Sequence, residues 1–130
     1  MAVHHERKGV DMKFNSILIG TADSPRLAAY YTRLFGEPGF KEGGFTGWMI
    51  GGAAITVGRH SEVHGQNPEP GRLIWNIESE DVKADFDRLK AAGATVVREP
   101  YTFEEVPGSW IATFSDPDGN YFQLVSPMMP

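Results

Sequence analysis

SDPDGNYFQLVSP, residues 115–127, divides into a turn, Asp116-Pro117-Asp118-Gly119-Asn120, and a short alternating run, Tyr121 to Val125. Proline fixes φ early in the turn, Gly119 accepts positive φ, and Asp and Asn side chains bond turn backbone, so the pentapeptide makes a hairpin corner. The run after it reads as a strand. Alternation puts Tyr121, Gln123 and Val125 on one face and Phe122 and Leu124 on the other. Two fully apolar residues on one side mark the core, which leaves Gln123 central on a face that can border a cavity.

Working outward, the half of the chain before this corner repeats. Leu73 to Glu78 alternates as a strand, with Leu73, Trp75 and Ile77 on one face and Ile74, Asn76 and Glu78 on the other. Ser79 is a candidate cap for a helix with the stripe Val82, Phe86 and Leu89, closed by Gly93. Thr95 to Arg98, a loop with Pro100 and Pro107, and the strand Trp110 to Phe114 lead to the corner. Earlier, Phe14 to Gly20 reads as a strand, Ser24 as a cap and Pro25 as the first helical residue. Leu27, Tyr30, Tyr31, Leu34 and Phe35 form the apolar stripe, and Gly36 ends that helix. Short strands follow near Phe40, at Phe45 to Ile50 and at Ala53 to Gly58, with glycine pairs between them that suit hairpin turns. Tyr31, Arg33 and Leu34 match Phe86, Arg88 and Leu89 at a constant offset of 55 residues, and an aspartate stands seven residues after Ser16 and again after Ile74. Each half thus reads strand, helix, strand, strand, strand, an internal duplication.

Composition narrows the possibilities. At 130 residues the chain suits one domain with a sizeable core and is short for two. The expected organisation is a flexible N-terminal tail over 1–11 and a single domain over 12–127, with modules at 12–60 and 72–127 and a loop at 61–71. A net charge of −5 without a basic cluster argues against a nucleic-acid partner. The absence of cysteine removes disulfides, thiolate metal sites and a cysteine nucleophile. No apolar run reaches the length of a membrane span and the N-terminus lacks the apolar core of a signal peptide, so no membrane partner and a cytoplasmic location are expected.

The closing corner and the duplication resemble the vicinal oxygen chelate superfamily, which includes glyoxalase I, extradiol dioxygenases, methylmalonyl-CoA epimerase and the bleomycin-resistance binding proteins. The resemblance covers nearly all of residues 12–127. It implies an α+β fold of two tandem βαβββ modules forming an incomplete barrel around a concave ligand cavity, and a homodimer. Metal-dependent members draw four ligands from the first and last strands of each module, usually His or Gln, Glu, His and Glu. The matching positions are Ser16, Thr56 (or Ala54), Ile74 and Gln123. Divalent ions want imidazole or carboxylate, and this set offers hydroxyls, an alkyl group and one amide. The reading is therefore of no metal and no cofactor.

By strand parity the cavity face carries Ser16, Leu18, Thr56, Ile74, Asn76, Tyr121 and Gln123. Trp48 and Trp110 on the third strands are further candidate walls, although the pattern does not fix their face. Apolar walls with a few amides and hydroxyls make a small-molecule site, and Asn76 and Gln123 are the groups a ligand would pair. No catalytic residue is assigned. Glu78, Glu104 and Glu105 are candidate bases, although loop carboxylates are commonly just solvated. His4 and His5 in the tail, and His60 and His64 in the loop, are read as solvated. The expectation is a metal-independent protein that sequesters a hydrophobic or aromatic compound. The alternative is a glyoxalase-like lyase or isomerase, or a dioxygenase relative, with a non-standard metal site or a glutamate base.

Overall fold

The computed structural model describes residues 12–102 and 104–127, so the readings placed on the N-terminal tail, including His4 and His5, lie outside the described residues. The first half runs β1 (Ser16–Thr21), α1 (Ser24–Phe35), β2 (Phe40–Glu42), β3 (Phe45–Ile50) and β4 (Ala53–Arg59). A connection with one 3-10 turn at Pro70–Arg72 leads to β5 (Trp75–Glu78), α2 (Val82–Ala91), β6 (Thr95–Tyr101), β7 (Ile111–Ser115) and β8 (Tyr121–Val125). Two four-stranded sheets result, ordered β1-β4-β3-β2 and β5-β8-β7-β6. In each, the outer pair is parallel and the rest antiparallel, as a helical crossover followed by two hairpins requires. These are two open sheets with their helices, and they do not close into a barrel. Among the described residues no helix is long and apolar enough to cross a membrane.

The helix caps differ from the sequence expectation. Asp23 and Asp81 are the N-caps, accepting from the backbone N–H of Arg26 at 3.1 Å and of Ala84 at 3.0 Å. Thr21 and Ser79, two residues earlier, each accept the cap's own N–H through a side-chain oxygen. Aspartate wins because its longer side chain reaches the third helical N–H while its charge meets the positive helix end. Pro25 is consequently the second helical residue, where a missing N–H is equally harmless. The caps repeat at 58 residues and the stripes at 55, so the stripe of α1 starts almost a turn deeper into its helix.

The alternation read from the sequence holds. Phe114, Phe122, Leu124 and Val57 face the helices in the core, with Tyr31 at its centre. The Tyr31 ring meets Trp48 at 6.0 Å, Trp75 at 6.0 Å and Phe122 at 6.1 Å, and so touches aromatic residues of both modules. The closing corner completes that junction. Asp116, only 4% exposed, accepts from the N–H of Asp118 and of Asn120, both at 2.9 Å, and from the Tyr31 hydroxyl at 2.7 Å. Asp118 accepts from the Thr21 hydroxyl and from the Arg26 guanidinium, each at 2.6 Å. Gly119 holds φ at +81°, the left-handed value that only glycine takes cheaply in such a turn. The corner is therefore both a hairpin turn and the latch that ties β1 and α1 of the first half to the last strand.

Burial and the Asp116 charge raise the pKa values of the paired phenols. The Tyr30 pKa is pushed up to about 12, mainly by burial, and its hydroxyl donates to the Ser115 carbonyl at 2.8 Å. Tyr31 is raised well above the usual phenol value by burial and then by Asp116. Both side chains are neutral donors at physiological pH.

Candidate functional site

With the helices on one side, each sheet leaves its other side open. On the first sheet that side carries Ser16 and Leu18 from β1, and Thr56 opposite Leu18 from β4. The parity of the β3 and β2 pairings adds Phe45, Met49 and Phe40. Two glycines make room for the rings: a Cβ at Gly47 would lie 2.1 Å from the Phe40 ring, and one at Gly58 would lie 2.5 Å from that of Phe45. Leu18 is 58% exposed and Met49 65% exposed, so this face is broadly apolar and uncovered. On the second sheet the open side carries Asn76, Tyr121, Gln123, Ile111 and Thr113, the last 6% exposed beneath its neighbours.

A cleft of about 580 Å³ lies between β1 and β5. Consecutive residues border it on both sides, Ile17 to Gly20 of β1 and Leu73 to Asn76 leading into β5, with Phe14, Asn67, Asn120 and Tyr121 completing its lining. Consecutive residues line a cleft only where it runs along a strand edge, and β1 and β5 each pair with just one strand. The cleft can therefore offer a ligand backbone donors and acceptors as well as apolar side chains. Asn67 is fixed there by the corner, donating through Nδ2 to Asn120 at 3.0 Å and through its backbone N–H to the Asp118 carbonyl at 2.8 Å. A wider depression of about 690 Å³ between α1 and the β2–β3 turn includes Glu37, Lys41 and Glu42 and belongs to one module alone.

Of the residues singled out from sequence, Ile74, Asn76 and Tyr121 line the cleft, together with Leu18. Ser16, Thr56 and Gln123 are on the open sides without lining it. Gln123 donates to the Thr113 hydroxyl at 3.0 Å, and among the described residues no donor reaches its carbonyl oxygen. Trp48 and Trp110 are elsewhere. Trp48 is 2% exposed in the core, where its Nε1 donates to the Gly36 carbonyl at 2.9 Å. Trp110 packs on the helix side with the Lys83 ammonium 3.8 Å from its ring centre. The register of β3 on β4 pairs Trp48 with Ile55, a core residue, and thereby turns it inward.

The pattern of alternation passed over Phe14, Leu73, Asn67, Asn120 and Trp75. The Trp75 ring, on the face it shares with Ile77, stacks on Phe122 at 4.9 Å and also borders the cleft. Its Nε1 is buried without a partner among the described residues. Nothing in a sequence marks residues that border a gap between two strand edges.

The four positions at which relatives hold a metal do not fit one here. Ser16 and Thr56 are neutral hydroxyls, Ile74 has no donor atom, and Gln123 offers a single neutral amide oxygen. Neither basicity nor negative charge is available to offset dehydration of a divalent ion. His60 and His64 are exposed in the connecting loop, where His60 Nδ1 accepts from the Glu62 N–H at 3.1 Å. Glu104 and Glu105 are exposed and do not border the cleft; Glu78 is exposed on the open side of β5.

Comparisons with known proteins agree with this architecture. Among solved structures, a glyoxalase-related enzyme from Fulvimarina pelagi superposes with a TM-score of 0.69 at 20% identity, covering 88% of each chain. A glyoxalase/bleomycin resistance protein from Catenulispora acidiphila gives 0.69 at 20% identity over 91% of this chain and 100% of its own. TioX from Micromonospora sp. ML1 gives 0.70 at 19% identity over 88% and 98%. At such identities these likenesses speak for the fold alone. No curated protein is significantly similar in sequence. The sequence model of the glyoxalase-like domain matches residues 16–125, β1 through β8, and the chain belongs to that family.

Proposed function

We propose that this chain is a metal-independent small-molecule binding protein that sequesters a hydrophobic or aromatic compound in the cleft between its modules. The cleft carries this reading: about 580 Å³ falls within the range of ligand sites, and apolar Leu18, Leu73 and Ile74 line it together with the amides of Asn67 and Asn76. The donor set at the metal positions supports binding over metal-assisted turnover. A homodimer belongs to the same proposal, since the apolar face of Leu18, Phe40, Phe45 and Met49 is large for a surface left in water. A cytoplasmic location rests on the sequence alone.

The test is a thermal-shift screen against aromatic and apolar compounds, with light scattering for the oligomeric state. A ligand present at about a hundred times its Kd stabilises the fold by about 2.7 kcal/mol, an upward midpoint shift on the order of 10 °C for a domain of this size. A broad library that moves no midpoint contradicts the proposal. The enzymatic reading keeps one supporting observation, the place of Glu78 on the open side of β5. It requires turnover of a ligand found in the screen, abolished by Glu78→Gln.

A further inference from the structure

β6 does not run in register along β7. Val96 opposes Phe114, and Arg98 opposes Thr113, so β6 advances two residues where β7 advances one. The extra residue is a β-bulge. In a regular ladder Val97 would stand opposite Thr113, and Arg98 would come next, opposite the fully buried Ala112, with its charge turned into the core. The bulge reverses that parity and brings Arg98 to the open side. A second irregularity, three residues against two, keeps Tyr101 on the same side opposite Ile111. The guanidinium carbon of Arg98 then lies 3.6 Å from the centre of the Tyr101 ring.

Arg98 completes a row. Through the pairings Arg98–Thr113, Thr113–Gln123 and Gln123–Asn76, one polar residue from each strand stands at the same level across the open side of the second sheet. At the usual strand spacing the row is about 14 Å long. Its one charge is at the Arg98 end. Among the described residues no carboxylate pairs with Arg98, as none pairs with Arg33 or Arg59, whereas Arg26, Arg72 and Arg88 each have an acidic partner. Glu78, the acid on this side of the sheet, is on β5, three strands away. Bulges also blunt sheet edges against unwanted pairing. That purpose does not call for an arginine on the open side held over an aromatic ring.

We propose that Arg98 and Tyr101 form an anion-recognition end of the ligand site, and that the ligand class is an apolar or aromatic carboxylic acid. The carboxylate would take the two-pronged guanidinium, whose stacking on Tyr101 fixes its plane beforehand. The apolar part would run along the row toward the cleft between β1 and β5. This deepens the small-molecule reading and rests on it.

The experiment is calorimetric titration of the full chain with naphthoate and with naphthamide, which share a ring system and differ in charge. The wild-type protein is expected to bind naphthoate about tenfold or more tightly, an advantage that shrinks with added salt. Arg98→Gln is expected to remove the advantage while leaving naphthamide affinity unchanged, and Arg98→Lys to restore part of it. Because Arg98 is exposed on an edge strand, folding of these variants is checked by their unchanged thermal midpoint. Equal wild-type affinity for acid and amide, or an Arg98→Gln loss shared by both, overturns the anion end and leaves the pocket standing. Absence of binding by either probe overturns the anion end, and the site it depends on falls with it only if the broad thermal-shift library also moves no midpoint.

Discussion

Tyr31→Phe tests the latch between the closing corner and the first module. The substitution removes one oxygen and leaves the ring among Trp48, Trp75 and Phe122. What is lost is the 2.7 Å bond to Asp116, a carboxylate 4% exposed. The Oδ2 atom of Asp116 then keeps only the Asn120 amide at 3.0 Å, while its Oδ1 retains the backbone donors of Asp118 and Asn120. A hydrogen bond to a charged group contributes about 1.5–3 kcal/mol, and water cannot reach the vacated position without opening the corner. The expected destabilisation is about 2 kcal/mol, read by urea denaturation as a midpoint lowered by about 1 M with an unchanged slope. Tyr30→Phe loses a bond to a neutral carbonyl and is expected to cost about 1 kcal/mol. Made in an Asp116→Asn background, Tyr31→Phe should cost less than half as much, since the pair acts as a unit. A loss below about 0.5 kcal/mol, or an equal loss in both backgrounds, would refute the latch.

Three further outcomes follow from the geometry. The tyrosines carry raised folded-state values, so their contribution is complete below the ordinary phenol pKa of 10 and is lost as pH climbs through the folded value, about 12 for Tyr30. Alkaline titration by tyrosinate absorbance should therefore show two phenols ionising only with unfolding, and stability falling by up to about 1.4 kcal/mol per pH unit for each; ordinary titration of all tyrosines near 10 would contradict this. Gly47→Ala pushes its new Cβ against the tip of the exposed Phe40 ring, which can swing aside. Thermal stability should change by less than about 1 kcal/mol, whereas any aromatic ligand packed on that face should bind several-fold differently in calorimetry. Trp48→Ala empties a core position and is expected to cost about 3–5 kcal/mol in denaturation, showing up in ligand affinity only as far as the fold itself is lost.

Much of the architecture was legible because it rests on local chemistry. The Tyr121–Val125 alternation, the two helical stripes and the glycine-marked hairpins each express one rule of side-chain direction, and the structure follows them nearly residue for residue. Parity also identified the open side of β1, β5 and β8. It failed for Trp48 because β3 is ambiguous: Phe45 and Met49 on one side compete with Trp48 and Ile50 on the other, and only the register on β4 decides. It could not have placed Arg98, because a bulge is an interruption of the very alternation being read. The sequence ends this strand at Arg98 and puts Pro100 in a loop, whereas β6 runs on through Pro100 to Tyr101 and twice breaks register in the sheet. The double role of Asp116 and Asp118 lay beyond reach for another reason. Their turn chemistry is local, but the partners that make them a latch, Tyr31, Thr21 and Arg26, are 85 or more residues away.

The central claim is that the cleft between β1 and β5 is a binding site for small organic molecules. Backbone amide NMR of the full chain, titrated with the compounds that raise its thermal midpoint, tests it most directly. The amides that move most should belong to Leu18, Asn76, Tyr121 and their neighbours along the two strand edges, while those of the depression beside α1 stay still. Shifts concentrated beside α1, or spread without focus over the whole surface, would contradict it.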